Sequence, residues 1–425
     1  MRNTLADVGF IAEHRSKPTD FTRKSRLSFQ NLVLFLLNQV KGSLQQELDT
    51  FFQQLNDTDL PFRVVYKSAF SEARKKLKST VFKALNRLLI QQIEVDGNMK
   101  TWRGFRLYAI DGTRIRLPNL ADIITFFGTL GNDNKEHDCP MGLASACYDV
   151  LNNLMIDTRI GHSSGSERMH AIEHLKYVAS NALMIYDRGY PALWFMQAHL
   201  ERSIDFCIRC PWNLYNETRD FYLSNQRETI VTLTPRGGAR KKCHKHSVSD
   251  KPFKVRLVRV DLPGGEKEIL ITSVLDNKTI SYRSFKWLYH ERWGVEEAFK
   301  RLKSRLEVEN FSGKSVLSVK QDFYAKMMAY NLEGLLAGAA EPKVKEETAH
   351  CKYDYAVNHA QALSRLKGAW VKMFTLPDRL LSGFIAQLVD IVAACRESIR
   401  PDRSYPRDFM GKKKARFPVA YKRTI

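Results

Sequence analysis

Two short apolar runs, Phe105-Arg-Leu-Tyr-Ala-Ile110 and Leu183-Met-Ile-Tyr186, each stop at an aspartate, Asp111 and Asp187. Runs of this length and composition read as strands with at least one face buried. Met141–Val150 and Leu154–Ile160 add two more, joined across Asn152-Asn153 as a hairpin, and Ile204–Ile208 is a further strand. Between them Ser166–Ala182 carries helical spacing. Strands interleaved with helices predict a mixed α/β core, and in such sheets functional groups gather where strands end and loops begin. A carboxylate there is a natural ligand for a hard cation. Asp111-Gly112 and Asp187-Arg188-Gly189 are also ordinary turn sequences, so neither aspartate stands as catalytic on its own motif.

The flanks read differently. Residues 1–97 are helical: Phe29–Phe52 is divided at Gly42, a helix near Ser68 presents Phe70, Ala73 and Leu77, and another after Ser79 presents Val81, Leu85, Leu88 and Leu89. Between Pro61 and Ile90 there are eight basic residues (Arg63, Lys67, Arg74, Lys75, Lys76, Lys78, Lys83, Arg87) and one acid, Glu72. Like charges this dense destabilise a helix unless something neutralises them, which predicts a DNA-contacting domain over a merely solvated face. Residues 212–275 lose the helical pattern. Short β-like pieces, Thr229–Leu233, Phe253–Val260 and Glu268–Val274, follow one another there, with turns at Pro235–Gly238 and Pro263–Gly265. From Ser284 the chain is helical to about Arg400, and 401–425 is a proline-containing basic tail expected to be extended.

Charge supports the polyanion reading. The 425 residues carry 67 Lys and Arg against 46 Asp and Glu, a formal +21. A folded chain tolerates that self-repulsion most easily against a polyanion, with nucleic acid the first candidate and an anionic membrane surface the second. The run Leu32–Leu37 is far short of the about 20 residues a spanning helix needs, and Met1–Arg15 lacks a secretory apolar core. Seven scattered cysteines make no disulfide framework, so a reduced, cytoplasmic setting is expected.

A third acid stands out further on. Read as one helix over Trp287–Leu306, Tyr289, Arg292, Glu296 and Lys303 share a stripe about 60° wide, and Glu297 falls outside it. A phenol, a guanidinium, a carboxylate and an ammonium so aligned suit a metal ligand flanked by phosphate contacts; a salt-bridged surface face is the competing reading, since Arg292 and Glu296 are spaced i,i+4.

Tyr289-x2-Arg292-x3-Glu296-x6-Lys303 resembles the signature of bacterial insertion-sequence DDE transposases, in the cut-and-paste group named for insertion sequence four. Ala109-Ile-Asp-Gly-Thr113 and Tyr186-Asp-Arg-Gly-Tyr190 are similar to that family's first and second aspartate motifs, and Phe311-Ser-Gly-Lys314 and Gln321-Asp-Phe-Tyr324 to its region after the glutamate. The resemblance runs from about Tyr66 to Glu333, in the family's order. It implies an RNase H-like core with Asp111, Asp187 and Glu296 as the catalytic, metal-holding carboxylates. Two Mg²⁺ ions are implied, for which Mn²⁺ substitutes, with Tyr289, Arg292 and Lys303 on DNA phosphates.

The implied layout is a DNA-binding helical domain at 1–97 and a core at 98–211 and 276–340. That core is interrupted by a β-rich insertion at 212–275 and followed by a helical region and basic tail at 341–425. The implied activity is excision and integration of an element bounded by inverted terminal repeats, performed by a homodimer on double-stranded DNA, at the bacterial nucleoid and away from membrane. Where hairpin-forming relatives carry a base-stacking tryptophan in the insertion, this chain has Glu268. A metal-dependent nuclease without strand transfer, and a silent transposase-derived DNA-binding protein, are the alternatives.

Other constellations carry less. Cys207-x2-Cys210 with Cys243, His244 and His246 invites zinc, but strand alternation sends the first two to opposite faces and the second group lacks a partner pair. Glu136-His137-Asp138 reads as a polar surface turn, Arg236-Gly-Gly-Ala-Arg240 as a basic hairpin tip without Walker spacing, and Trp293 and Phe299 as core residues.

Overall fold

A computed structural model describes residues 2–38, 42–97, 99–130, 139–262, 266–304 and 306–400. The tail 401–425, the triplet Glu136–Asp138 and the turn Pro263–Gly265 lie outside the described residues. The N-terminal region is helical: α1 (Arg2–Ala6), α2 (Val8–His14), α3 (Phe29–Leu37), α4 (Leu44–Asn56), α5 (Lys67–Arg74) and α6 (Thr80–Val95). Ser28 caps α3 through Asn31 N, whereas Ser79 precedes α6 without a side-chain cap. On α6 the buried face is Val81, Phe82, Leu85 and Ile90, and Leu88 is exposed, contrary to expectation.

The sheet follows: β1 (Arg106–Arg116), α7 (Ala121–Phe127), β2 (Thr129–Leu130), β3 (Cys139–Asp149), β4 (Leu154–His162), α8 (Glu167–His174), β5 (Ala182–Tyr186), α9 (Leu193–Leu200) and β6 (Asp205–Cys210). Next come α10 (Asn216–Leu223), β7 (Glu228–Leu233), α11 (Gly237–Lys245), β8 (Phe253–Asp261) and β9 (Lys267–Thr272). These strands form one nine-stranded mixed sheet ordered β2-β3-β1-β5-β6-β9-β8-β7, with β4 also on β3. β1, β5 and β6 are parallel, and the remaining pairings are antiparallel. The 212–275 segment therefore extends the same sheet beyond β6.

The C-terminal part holds α12 (Phe285–His290), α13 (Trp293–Ser304), α14 (Val316–Glu347), β10 (Tyr355–Val357), α15 (His359–Leu366), α16 (Ala369–Thr375), α17 (Asp378–Ala394) and β11 (Arg396–Ser398), with β10 and β11 paired. Three apolar cores result. Leu107, Ala109, Leu183 and Ile185 face Val295, Ala298 and Leu302 of α13 on one side of the sheet. Tyr108, Ile110, Met184 and Tyr186 face α8 and α9 on the other. The third core unites the N-terminal helices with the C-terminal ones, through Phe35, Phe51, Phe70 and Leu85 against Leu332, Leu366, Trp370 and Val392.

Several local expectations are corrected. Asp111-Gly112-Thr113 is not a turn, because β1 runs through it to Arg116 in register with β3. The helix expected over Ser166–Ala182 stops at His174 and tightens into a single 3₁₀ turn, Leu175–Tyr177. Two helices, α10 and α11, stand where only strands and turns were expected, and the supposed basic hairpin tip at Arg236–Arg240 is the start of α11. Trp293 is 36% exposed, not core, whereas Phe299 is buried.

Candidate active site

Asp111 owes its position to strand pairing. β1 pairs in parallel with β5 up to Ala109 opposite Ile185, and carried two residues further that register sets Asp111 level with Asp187. Side-chain alternation puts Asp111 on the face of Leu107 and Ala109, toward α13. Each aspartate is braced by a following amide: Gly112 N donates to Asp111 Oδ1 at 2.9 Å, and Gly189 N to Asp187 Oδ1 at 2.8 Å.

Glu296 arrives on α13, which packs on β1 and β3. The single helix expected over Trp287–Leu306 is instead two, parted at Glu291-Arg292. There Arg292 N bonds Tyr289 O at 3.2 Å and Val295 N bonds Arg292 O at 3.3 Å, an i→i−3 tightening that interrupts the α ladder. The four residues still converge. Arg292 Nη2 donates to Glu296 Oε1 at 2.6 Å, and its guanidinium lies 5.7 Å from the centre of the Tyr289 ring and 5.6 Å from that of Trp293. Tyr289 is buried, its hydroxyl has no hydrogen-bond partner, and burial pushes it up to about 12. Lys303 Nζ donates to Thr113 Oγ1 at 2.6 Å and to Arg114 O at 3.1 Å.

The three acids are in one electrostatic neighbourhood. Burial raises the Asp111 carboxyl to about 7; the charges of Asp187 and Glu296 push the same way, while the Gly112 amide and Arg292 oppose them. These are hard oxygen donors at a desolvated, mutually repelling centre, which fits a divalent cation. Among the described residues no three His, Cys, Asp or Glu side chains already stand at ligand spacing.

Sequence reasoning passed over Glu167 and Arg209, and gave Tyr190 no role beyond closing the second aspartate motif. Burial, then Asp187, raises the Glu167 carboxyl, while Arg114 and Arg168 counter. Tyr190 is 1% exposed and its hydroxyl has no partner. Arg209 pairs with Glu268 at 2.6 Å beside Tyr289. A glutamate opening a helix looks like ordinary dipole compensation, and only its place beside the aspartates distinguishes it. The zinc reading has no support among the described residues: Cys207 and Cys210 point into different cores, His244 bonds Asp250, and His246 stacks on Trp194.

The motifs after the glutamate have a structural place. Arg74 of α5 is buried, with Nη2 3.0 Å from Asp322 Oδ1, Nε on Gln321 Oε1 and Nη1 on Ser312 Oγ. Arg74 therefore faces inward, and Lys83 pairs with Asp157 at 2.9 Å, which takes two of the eight basic residues off any DNA-facing surface.

The family described as Transposase DDE domain matches residues 102–332, a stretch that holds β1, β5, α13 and all three acids. The chain belongs to the Transposase DDE domain family. Putative transposase InsZ of Escherichia coli K12 is 21% identical to this DDE-domain chain over 134 residues, 31% of the chain and 45% of that protein. The chain thus spans about half the length of the curated relative it matches. The piggyBac transposase, solved as a synaptic complex with hairpin DNA, is similar at 10% identity and a TM-score of 0.45, over 91% of this chain and 84% of that one. Among the described residues no helix is long and apolar enough to cross a membrane.

Proposed function

We propose that this DDE-domain protein is a metal-dependent DNA transposase of the insertion-sequence-four group. In this reading it binds the inverted terminal repeats of its element, cuts them free and joins them to target DNA. The observation that carries the reading is that Asp111 lies in β1 and Asp187 directly follows the parallel neighbour β5, with the charges of Asp187 and of Glu296 on α13 both acting on Asp111. The strand order β4-β3-β1-β5-β6, with β3 alone reversed, supports an RNase H-like core.

Asp111, Asp187 and Glu296 would hold the cations. Two Mg²⁺ ions, or Mn²⁺ in their place, supply charge neutralisation for an in-line phosphodiester displacement when bound. The protein's own groups do the rest. Arg292 steadies Glu296 and offers its remaining donors to a phosphate. The Tyr289 hydroxyl, buried and without a hydrogen-bond partner, is assigned to a phosphate oxygen in this proposal. Lys303 holds the last turn of α13 against β1 and adds positive charge beside the path of the DNA.

The division into a 1–97 DNA-binding part, a core at 98–211 and 276–340, an insertion at 212–275 and a 341–425 tail region belongs to the same proposal. So do a homodimeric end complex and a location at the bacterial nucleoid. The basic surface left on α5, α6 and their connection, Lys67, Lys75, Lys76, Lys78 and Arg87, is assigned to DNA phosphates. An integration assay tests the reading: a donor fragment ending in the gene's own flanking repeats is incubated with protein, Mg²⁺ and a target plasmid. Joined products establish strand transfer. Cleavage without joining leaves a nuclease, and end binding without cleavage leaves a silent DNA-binding derivative.

A further inference from the structure

Gly112 has its absent side chain directed at Glu167. A Cβ built at Gly112 would stand 2.7 Å from Glu167 Cδ and 2.9 Å from its Oε1. Contacts that short do not occur, so any residue larger than glycine displaces the glutamate. Gly112 follows Asp111 in β1, and strand alternation turns it toward α8, away from α13. The bare backbone therefore lets a carboxylate from the opposite layer lie against the strand beside the first aspartate.

The next residue anchors the same turn to the loop that follows the second aspartate. Arg168 Nη2 donates to Gly189 O at 2.6 Å and Nε to Tyr190 O at 3.1 Å. The start of α8 is thus held against β1 on one side and against the loop after Asp187 on the other. An acid in the first turn of a helix has an ordinary role in offsetting the helix dipole, which accounts for neither contact.

Tyr190 supplies an independent sign of a ligand. Its hydroxyl is buried with no hydrogen-bond partner and lies in the combined field of Glu167, Asp111 and Asp187. A buried hydroxyl left so is costly, because its lost hydration is not replaced. Mg²⁺ is bound by few carboxylates and keeps several waters, and a hydrated cation among these acids offers Tyr190 a partner.

We propose that Glu167 is a fourth carboxylate of the divalent-cation site assigned to Asp111 and Asp187, with the Tyr190 hydroxyl as its neutral partner at the cation's hydration shell. This rests on the metal-dependent reading above. Glu167 acts as a group that holds and orients the cation, and Gly112 is the position whose bareness admits it.

The test is Mn²⁺ titration of the full chain without DNA, following free Mn²⁺ by electron paramagnetic resonance. Wild type, Asp111→Asn, Glu167→Gln, Glu167→Asp and Tyr190→Phe are compared, with thermal melting as the folding control. The expected result is a loss of affinity of about tenfold or more in Glu167→Gln, the scale of orienting groups at metal sites. Glu167→Asp should fall between Glu167→Gln and wild type, and Tyr190→Phe should show a smaller loss. Unchanged affinity in Glu167→Gln, with affinity lost in Asp111→Asn, overturns the inference and leaves the metal reading standing. A wild type that binds no Mn²⁺ overturns both. If Glu167→Gln melts well below wild type, Glu167→Asp and Tyr190→Phe decide, and wild-type affinity in both of them overturns the inference.

Discussion

Lys303 Nζ sits 2.6 Å from Thr113 Oγ1, so the last turn of α13 is tied to the strand residue two places beyond Asp111. Glu296 lies about two turns up the same helix, and the height of α13 against β1 sets where that carboxylate meets Asp111. Lys303→Ala is expected to lower end cleavage at least about tenfold, as an error in positioning does. Thr113→Val keeps the bond to the Arg114 carbonyl and should lose less. Cleavage assays on a labelled terminal-repeat duplex check this, and wild-type rates in both variants would remove the tether from the account.

Arg74 and Asp322 join α5 to α14 from 248 positions apart in sequence, both fully enclosed. Breaking such a pair strands a buried charge, so Asp322→Ala should cost about 3–5 kcal/mol of stability. The double replacement Arg74→Met with Asp322→Leu should recover a large part of that. Urea unfolding measures both; a loss under about 1 kcal/mol in Asp322→Ala, within the range of an exposed pair, would show that the pair does not hold the helices together.

Asp157 predicts how the fold responds to acid. Burial works to raise its carboxyl, but the hydrogen bond and charge of His174, with Lys83 at 2.9 Å, outweigh it and hold Asp157 down at about 2. A carboxylate lowered in the fold contributes stability that is present above its unfolded value near 4 and is lost as pH falls toward 2. For this shift the contribution is about 2 kcal/mol. Burial holds His174 below its ordinary value, which has the same sign: stability is lost as pH falls through the unfolded histidine's range. Denaturation curves between pH 7 and 3 should therefore show falling stability, and Asp157→Asn should flatten the acid end of that slope. An equal slope in Asp157→Asn would remove this group as its cause.

The strands were legible because apolar runs need no tertiary information, but only Asp187 follows the end of its strand, since pairing with β3 carries β1 through Asp111 to Arg116. The Asn152-Asn153 hairpin was legible for the same local reason, and β3 and β4 pair across it. The unbroken helix through Arg292 was misread because the i→i−3 tightening there leaves no mark on apolar spacing. Arg74 was misread as a surface cation because its partner, Asp322, lies in a motif far along the chain. Glu167 was invisible for a related reason: its meaning comes from Gly112 and Asp187, which only the sheet brings beside it.

The most direct measurement is Mg²⁺-dependent cleavage of DNA carrying the gene's own flanking sequences, with wild type beside Asp111→Asn and Glu296→Gln and end binding followed in parallel. Nicks or hairpins at the element boundary are expected with wild type and none with either variant, while all three retain boundary binding. Cleavage by Glu296→Gln at the wild-type rate would contradict this expectation.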